Sequence, residues 1–291
     1  MKWLITGASG QLGLAMQKQL SSRGINFVAT KSSELDITKP LMVNQLIDYI
    51  KPSVILNTAA WTDVDGAEMN QSAAYSVNAL GPQNLAIAAN RIGARLVQVS
   101  TDYVFSGDKA QPWNESSAHD PQSIYGSTKS EGEKFVQATL PANFYIVRTA
   151  WLYSAAGKNL AKTMTNLALN SADKIKVVDD QVGQPTFAED LAKQIIELVL
   201  SGAPVGIYHG TNSGQATWFE FAQEIFKLAG AEISRVVPVS TSEYPRPAKR
   251  PQYSVLAHDA WRNTTLTAMR DWRIALAEAI PAMVSAVKTE G

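Results

Sequence analysis

A glycine-rich segment directly after the first predicted strand constrains the fold more than any other feature of the chain. Residues 3–6 are apolar, and residues 7–13 then read GASGQLG. A helical pattern follows, with Leu12, Met16 and Leu20 on one face. Glycines at such a turn let a pyrophosphate approach the N–H groups that begin the helix. The spacing is G-x-x-G-x-x-G rather than G-x-G-x-x-G, so an ordinary strand-to-helix turn is the alternative, but the position directly after a strand favours a dinucleotide site.

The second predicted strand, Phe27–Thr30, ends without a carboxylate. Dinucleotide folds that prefer NAD usually place an acidic residue about 20 residues after the glycines, where it binds the ribose 2′-hydroxyl. Here Thr30 is followed by Lys31, whose ammonium suits a 2′-phosphate. The expected cofactor is therefore NADPH or NADH, with NADPH slightly favoured. A solvated loop lysine is the alternative interpretation of Lys31.

Apolar runs and helical patterns alternate through the first 150 residues. A helix predicted at 40–50 is followed by a strand at 54–57, a helix at 82–92, and strands at 96–99 and 144–149. Most of these strands are continuous apolar runs, which is typical of a parallel sheet covered on both faces. The pattern predicts an α/β fold with a doubly wound parallel sheet of the Rossmann type.

The alternation weakens after residue 150. Helices are predicted at about 159–169, from about 189, at 217–229 and at 273–287, with strands near 176–178 and 205–209 and a proline-rich loop at 245–251. We therefore expect a dinucleotide-binding domain at 1–150 that also receives about 176–205. Residues 151–291 would mainly form a smaller, discontinuous substrate-binding domain. Trp218, Phe219 and Phe221 are interpreted as part of its core.

Tyr125 and Lys129 are four residues apart at the start of a predicted helix, so both side chains project from one face. A phenol has an unperturbed pKa of about 10, and a neighbouring ammonium would lower it by favouring the phenolate. The pair suits proton transfer between an alcohol and a ketone. Thr101 ends the fourth strand and can hydrogen-bond the same substrate oxygen. The same spacing also arises by chance on solvated helices, so the pair alone does not establish a site.

Composition excludes several other kinds of site. The chain has no cysteine, three histidines far apart in sequence, and 26 acidic and 26 basic residues. Disulfides, thiolate metal sites and a cysteine nucleophile are excluded, and no metal is predicted. The balanced charge indicates neither a nucleic-acid nor a membrane partner, and no stretch reaches the ~18 apolar residues of a membrane span. A cytoplasmic protein acting on a small molecule is the expectation.

Together these motifs resemble the extended short-chain dehydrogenases/reductases and, in detail, the dTDP-4-dehydrorhamnose reductase family. The resemblance covers nearly the whole chain and rests on GASGQLG at 7–13, AAWT at 59–62, STDYVF at 100–105, Tyr125 with Lys129, RTAWLY at 148–153, the segment 180–186, and Arg250 with Pro251 and Ser254. It implies NAD(P)H-dependent reduction of the 4-keto group of dTDP-4-dehydro-L-rhamnose to dTDP-L-rhamnose. Tyr125 would protonate the alkoxide, and Lys129 would bind the nicotinamide ribose and lower the tyrosine pKa.

The resemblance, with the motifs above, also implies the residues of the site. The catalytic set is Thr101, Tyr125 and Lys129. The cofactor-binding residues are Gly7, Gly10, Gln11, Leu12, Thr30, Lys31, Asp36, Ile37, Ala59, Ala60, Trp61, Thr62, Val99, Tyr125 and Lys129. The nucleotide-sugar would contact Thr101, Asp102, Tyr103 and Trp151.

Three further points go beyond the shared motifs. Arg250 is predicted to contact the substrate pyrophosphate, because a guanidinium suits a bidentate phosphate; a surface arginine is the alternative. Trp61 departs from the smaller or polar residues expected at its position. The magnesium carboxylates of some family dimers do not map clearly onto this chain, so no metal is predicted and a homodimer stays open.

Other activities on the same fold also stay open. Related dehydratases carry a glutamate where this chain has Tyr103, so dehydration is disfavoured. A 4-epimerase, or a reductase of another nucleotide-sugar, needs little beyond the tyrosine–lysine chemistry. A different class is a non-catalytic NADP-binding regulatory subunit, such as that of methionine adenosyltransferase. The intact set of Thr101, Tyr125 and Lys129 favours catalysis.

Overall fold

The computed structural model describes residues 1–290, with the side chains of residues 1–289. The strands are β1 (Trp3–Thr6), β2 (Phe27–Thr30), β3 (Val54–Asn57), β4 (Arg95–Thr101), β5 (Phe144–Thr149), β6 (Leu152–Tyr153), β7 (Ile175–Val178), β8 (Val182–Gly183), β9 (Thr186–Phe187), β10 (Gly206–His209), β11 (Ala216–Thr217) and β12 (Val236–Val239). The α-helices are α1 (Gln11–Ser22), α2 (Pro40–Ile50), α3 (Val64–Met69), α4 (Gln71–Tyr75), α5 (Gly81–Ile92), α6 (Ile124–Thr139), α7 (Leu160–Asn170), α8 (Ala188–Leu200), α9 (Trp218–Leu228) and α10 (Trp272–Glu290). A π-helical turn, Ser76–Leu80, joins α4 to α5, and a 3-10 turn, Asp102–Val104, directly follows β4.

Six parallel strands form the central sheet in the order β10-β5-β4-β3-β1-β2. β1, β3 and β5 are buried along their whole length, as their apolar sequences predict. The chain adds β2 on one side of β1 and β3 on the other, so the strand order changes direction at this point. Ligands of open α/β sheets bind outside the carboxyl ends of the strands at such a switch point. The predicted doubly wound parallel sheet is confirmed.

Helices cover both faces of this sheet. Trp3 and Ile5 of β1 join the core formed with α1 and α8, whereas Leu4 between them joins the core formed with α2, α5 and α6. This alternation follows from the two-residue period of a strand. On the first face α1 contacts α8, and on the second α5 contacts both α2 and α6. The residues at the strand ends are therefore held from both sides.

A second, smaller region has its own core, formed by α7, α9 and α10 with the parallel pair β7 and β12. The predicted return of about 176–205 to the first domain is divided by the structure. β7 pairs with β12 in the second region, whereas α8 packs on α1 and β10 pairs with β5 at the sheet edge. The segment that returns is therefore 188–209, because α8 carries apolar side chains such as Leu191 and Ile195 that complete the cover of the sheet.

Candidate active site

A cavity of about 870 Å³ runs along the carboxyl ends of β1, β3, β4 and β5, which is within the size range of cofactor and small-molecule sites. Its walls come from the glycine-rich turn, the segments after β3 and β4, the start of α6 and the segment 149–161. All predicted site residues except Thr30, Lys31 and Arg250 line it, namely Gly7, Gly10, Gln11, Leu12, Asp36, Ile37, Ala59, Ala60, Trp61, Thr62, Val99, Thr101, Asp102, Tyr103, Tyr125, Lys129 and Trp151.

The glycine-rich turn leaves space for a ligand beside the backbone. Gly7 has a φ of +68°, and a Cβ there would lie 2.6 Å from the Ala59 backbone nitrogen. A Cβ at Gly13 would lie 2.5 Å from the Gly7 carbonyl oxygen, so α1 packs directly on the turn. Helix α1 begins at Gln11 with neither a side-chain cap nor an acidic residue in its first turn. This uncapped, positively polarised helix start fits the pyrophosphate of a dinucleotide.

The end of β2 contributes less to the cavity than the sequence predicts. Thr30 is buried against β1, and its hydroxyl donates to the Ile5 carbonyl oxygen at 3.1 Å. Lys31 is exposed, and neither residue lines the cavity. The chain reaches the cavity again at Asp36, whose carboxylate accepts hydrogen bonds from the Thr38 hydroxyl at 2.7 Å and the Thr38 N–H at 2.9 Å. These bonds lower the pKa of Asp36.

A cap and close packing fix the start of α6. The Ser123 hydroxyl accepts a hydrogen bond from the Gly126 N–H at 3.2 Å. Gly126 has no room for a side chain, because a Cβ would clash with the Tyr103 carbonyl oxygen. The first turn of α6 is therefore pressed against the 3-10 turn after β4. As a result Tyr125 lies at the end of β4, where ligands of such a sheet bind.

Thr101, Tyr125 and Lys129 meet in the cavity. The Tyr125 and Thr101 hydroxyls both line the cavity, and the Thr101 hydroxyl favours the ionised form of Tyr125. One helical turn later, the Lys129 ammonium donates to the Val99 carbonyl oxygen at 2.6 Å. Thr101 is 5% exposed and Lys129 is 4% exposed, so water screens their charges and dipoles little. Side chains from β4 and α6 can thus act together on one ligand oxygen.

The pKa of Tyr125 shifts in the opposite direction to the expectation. Burial raises the Tyr125 pKa to about 12, and the Thr101 hydroxyl only partly offsets this effect. Burial also lowers the Lys129 pKa to about 8, against the Glu133 carboxylate, which raises it. The expected net lowering of the Tyr125 pKa is therefore not found in the free protein, because burial of the phenol dominates. A phenol with a raised pKa stays protonated at neutral pH and can act as a proton donor.

Asp102 and Tyr103 adjoin this set. Burial raises the Asp102 pKa to about 6, although the hydroxyls of Ser254 and Thr101 favour the ionised form. Thr101 donates to one Asp102 carboxylate oxygen at 3.0 Å. The Tyr103 ring meets the Tyr125 ring edge to face, with centroids 5.5 Å apart. Burial raises the Tyr103 pKa, so this position holds a neutral phenol and not a carboxylate.

Two stacked indoles form another wall of the cavity. The Trp151 and Trp218 rings are 3.3 Å apart at their centroids and nearly parallel, at 9°. Trp151 has a φ of +44°, a left-handed conformation that bulky residues rarely adopt and that often marks functional sites. Its indole packs on Gly183, where a Cβ would lie 2.5 Å from the ring.

Trp218 packs against the second core, as predicted, and it also lines the cavity, which was not predicted. Its neighbour Phe219 is partly buried against the second core and lines no part of the cavity. Phe221 belongs to that core and also reaches the cavity wall. Helical spacing marks all three aromatics alike, so it does not separate them.

A second cavity, of about 700 Å³, adjoins the first. Tyr103, Leu160 and Trp218 line both cavities and so mark the passage between them. Four cationic side chains border the second cavity: Lys176, Arg246, Lys249 and Arg250. Positive charge beside an apolar cavity is suited to a ligand that combines phosphate with a ring.

Arg250 lies at this second cavity and not at the first. Its guanidinium contacts both carboxylate oxygens of Asp65 at 2.8 Å, and this pairing lowers the Asp65 pKa. The Ala248 N–H donates to the same carboxylate at 3.1 Å. Because Asp65 lies in α3, which follows β3, the pair ties the proline-rich loop to the first domain. The predicted phosphate contact of Arg250 would share its guanidinium with Asp65.

Comparison with known proteins assigns this chain to a family. The family model described as RmlD substrate binding domain matches residues 1–285. The chain belongs to this family. A dTDP-4-dehydrorhamnose reductase of Streptomyces griseus is 45% identical over 97% of this chain and 94% of the relative. A dTDP-4-keto-6-deoxy-D-glucose reductase of Streptomyces niveus is 45% identical over 96% of this chain and 96% of the relative.

A solved structure within the same family shares the fold. The dTDP-4-dehydrorhamnose reductase of Bacillus anthracis, in complex with NADP, superposes with a TM-score of 0.92 and 39% identity, over 96% of this chain and 98% of that chain. The resemblance to the dTDP-4-dehydrorhamnose reductase family is therefore confirmed.

The segment 154–159, which the sequence analysis did not assign to the site, reaches the glycine-rich end of the cavity. The Ser154 hydroxyl and the Asn159 amide donate to the Gln11 side-chain oxygen at 3.2 and 2.9 Å. Lys158, next to Asn159, lines the cavity. In sequence these residues read as a loop and a helix cap. Their one available signal is that the segment follows β5, whose carboxyl end borders the cavity.

Proposed function

We propose that this protein catalyses the NAD(P)H-dependent reduction of the 4-keto group of dTDP-4-dehydro-L-rhamnose to dTDP-L-rhamnose. The observation that carries the proposal is that the buried Thr101, Tyr125 and Lys129 open into the same cavity as the glycine-rich turn. A proton donor and a dinucleotide cradle in one cavity are what reduction of a ketone by a nicotinamide requires. Membership of the family supports a dTDP-linked keto-sugar as the substrate.

The residues of the chain divide the work of the reduction. A bound nicotinamide supplies hydride to the carbonyl carbon of the sugar. Tyr125 donates its hydroxyl proton to the carbonyl oxygen as negative charge develops there, and its raised pKa keeps that proton in place beforehand. The Thr101 hydroxyl hydrogen-bonds the same oxygen and orients it. Lys129, charged at neutral pH, stabilises the phenolate left on Tyr125 and holds the ribose hydroxyls of the cofactor.

Each of the two cavities binds a different part of the substrate. The keto-sugar occupies the first cavity beside Tyr125, and the nucleoside diphosphate extends into the second. The cations at 176, 246, 249 and 250 support this placement, because phosphate oxygens accept charge-assisted hydrogen bonds from lysine and arginine. The sugar then passes Tyr103 and Trp218 at the junction of the cavities.

The cofactor is NADPH or NADH, with NADPH slightly favoured. The end of β2 offers no carboxylate to a ribose 2′-hydroxyl, and Ser32 is the residue of that turn that lines the cavity. The Bacillus anthracis relative was solved with NADP. Lys31, exposed beside this turn, is the proposed partner of a 2′-phosphate.

A second candidate substrate is another dTDP-4-keto-6-deoxy sugar. It is favoured by the relative named dTDP-4-keto-6-deoxy-D-glucose reductase, which matches this chain at the same 45% identity. Purified protein is to be given each keto-sugar with NADPH or NADH, and the loss of reduced-nicotinamide absorbance followed, with mass spectrometry of the product. We expect faster turnover of dTDP-4-dehydro-L-rhamnose. No oxidation of either cofactor with either sugar would contradict a reductase.

The setting of the enzyme is a further part of the proposal. Within the described chain no helix is long and apolar enough to cross a membrane, and no three or more of its His, Asp and Glu side chains form a group that could hold a metal ion. We place the enzyme in the cytoplasm, acting on small molecules without nucleic acid. Whether it forms a homodimer is measurable by light scattering after size-exclusion chromatography.

A further inference from the structure

A buried ion pair lies behind the catalytic lysine and has no part in the reaction as derived above. Glu133 of α6 and Arg148 of β5 are 0% and 1% exposed. The Arg148 Nε lies 3.0 Å from one Glu133 carboxylate oxygen, and Nη2 lies 2.7 Å from the other. Neither residue lines the cavity. Since buried pairs often stabilise no more than apolar residues of the same size, the position of this one calls for another reason.

Two neutral histidines adjoin the ion pair. Arg148 also donates to the Nε2 atoms of His119, at 2.7 Å, and of His209, at 3.3 Å. A guanidinium only donates, so both Nε2 atoms are unprotonated acceptors. Burial, together with the charge of Arg148, lowers the pKa of each histidine and keeps it neutral. The cluster therefore pairs the buried Arg148 guanidinium with the buried Glu133 carboxylate, and neither histidine adds a charge.

Two routes connect Glu133 to Lys129. Along α6 the two residues are four positions apart and project from one face. Through β4, the Lys129 ammonium binds the Val99 carbonyl oxygen, and the hydroxyl of the next residue, Ser100, donates to the Glu133 carboxylate. Glu133 thus lies one helical turn from Lys129 along α6. Through β4, one peptide unit separates the two residues that contact Lys129 and Glu133.

The other titratable groups near Lys129 do not replace this charge. Tyr125 lies on α6 and Tyr103 follows β4, and both phenols are neutral because burial raises the pKa of each. Asp102, after β4, also lines the cavity and is ionised above its pKa of about 6, but its charge is not among the causes that shift the Lys129 pKa. Arg148 of β5, with His119 and with His209 of β10, lies behind Glu133. Among these groups, Glu133 is the one whose charge raises the Lys129 pKa.

We propose that Glu133, held by Arg148 and linked to Lys129 along α6 and through Val99 and Ser100, is a positioning residue that acts through the Lys129 ammonium beside the cofactor. The proposal rests on the function proposed above for Lys129. Burial works against the lysine charge, and without Glu133 the lysine would lose its proton at a lower pH. The ion pair then contributes to the pH range of activity rather than to stability alone.

The test is the alkaline limb of the pH profile of kcat/KM. Glu133→Gln keeps the shape of the side chain, removes its charge and leaves the Arg148 guanidinium without a carboxylate partner. We expect the limb to move to lower pH by about one unit. Glu131→Gln is the matched control: Glu131 lies on the same helix, but it is partly exposed and pairs with Lys134, so the limb should stay in place.

Two further measurements keep the inference open to refutation. If Glu133→Gln does not fold, the double variant Glu133→Gln with Arg148→Met removes both charges, and its limb should still move to lower pH. The Kd of NADPH, followed by nicotinamide fluorescence across the same pH range, reports on Lys129 without any sugar substrate. A wild type that binds NADPH but reduces no keto-sugar would sink the proposed function alone. The role of Glu133 would be overturned if a folded Glu133→Gln variant had the same alkaline limb of kcat/KM and the same pH dependence of the NADPH Kd as wild type.

Discussion

The cofactor half and the substrate half of the site are built by different means. At the cofactor half the backbone forms the surface, since Gly7 and Gly13 leave no space for a Cβ and α1 begins uncapped. At the substrate half the surface is made of side chains, such as the stacked Trp151 and Trp218. The first construction uses neighbours in sequence, whereas Trp151 and Trp218 are brought together by the fold. A backbone cradle tolerates few substitutions, and a side-chain wall can change with the substrate.

The largest expected effect lies where the two halves meet, at Tyr125. Tyr125→Phe keeps the ring that packs on Tyr103 but removes the proton donor. We expect kcat to fall at least ~100-fold, since general acid catalysis contributes on that order. The Kd of NADPH, measured by fluorescence titration, should be unchanged. A variant that keeps turnover within about tenfold of wild type would remove Tyr125 from the donor role.

At the cofactor half, the expected effect is one of backbone fit. A Cβ at Gly13 would lie 2.5 Å from the Gly7 carbonyl oxygen, so Gly13→Ala must shift the turn or the helix. We expect a loss of about 1–3 kcal/mol in the free energy of unfolding and weaker NADPH binding. Gly10→Ala is the graded control, because its Cβ would meet the same oxygen at 3.3 Å. Equal losses in the two variants, by denaturant unfolding and NADPH titration, would show that close packing is not the cause.

At the substrate half, Trp218 and Phe219 form a matched pair. Both are large aromatics at the start of α9, but only Trp218 lines the cavities. We expect Trp218→Leu to raise the KM for the nucleotide-sugar about tenfold through loss of the aromatic contact, with the Kd of NADPH unchanged. Phe219→Leu should change the KM little. The same KM in both variants would return Trp218 to a purely structural role.

The smallest expected effect concerns Lys31. This lysine is exposed, so its charge is screened by water and salt. Lys31→Asp should raise the ratio of kcat/KM with NADH to kcat/KM with NADPH only severalfold, measured at low ionic strength. Lys2→Asp is the control, because Lys2 is an exposed lysine at the amino end of β1, whereas Lys31 follows the carboxyl end of β2. An unchanged ratio in the Lys31 variant would remove Lys31 from the cofactor site.

Features that depend on near neighbours were predictable. The turn at 7–13, the parallel sheet and the pairing of Tyr125 with Lys129 each follow from spacing within one or two elements. The π-helical turn and the two short helices before it were not predicted, because their sequence shows no clear period. Strand β7 reads like a strand of the main sheet, and only its pairing with β12 assigns it to the second region.

The sequence by itself determined the class of fold, and it predicted the glycine-rich turn and the set Thr101, Tyr125 and Lys129, which line one cavity. Only the tertiary structure decided that Arg250 pairs with Asp65, 185 residues away, and that Trp218 joins Trp151 at the cavity. It also decided that the Tyr125 pKa is raised and not lowered, because burial outweighs the expected effect of Lys129. The physical reason is the same in each case. Spacing along the chain fixes which side chains share a helix face or a strand end, whereas burial and distant pairings depend on how separate segments pack.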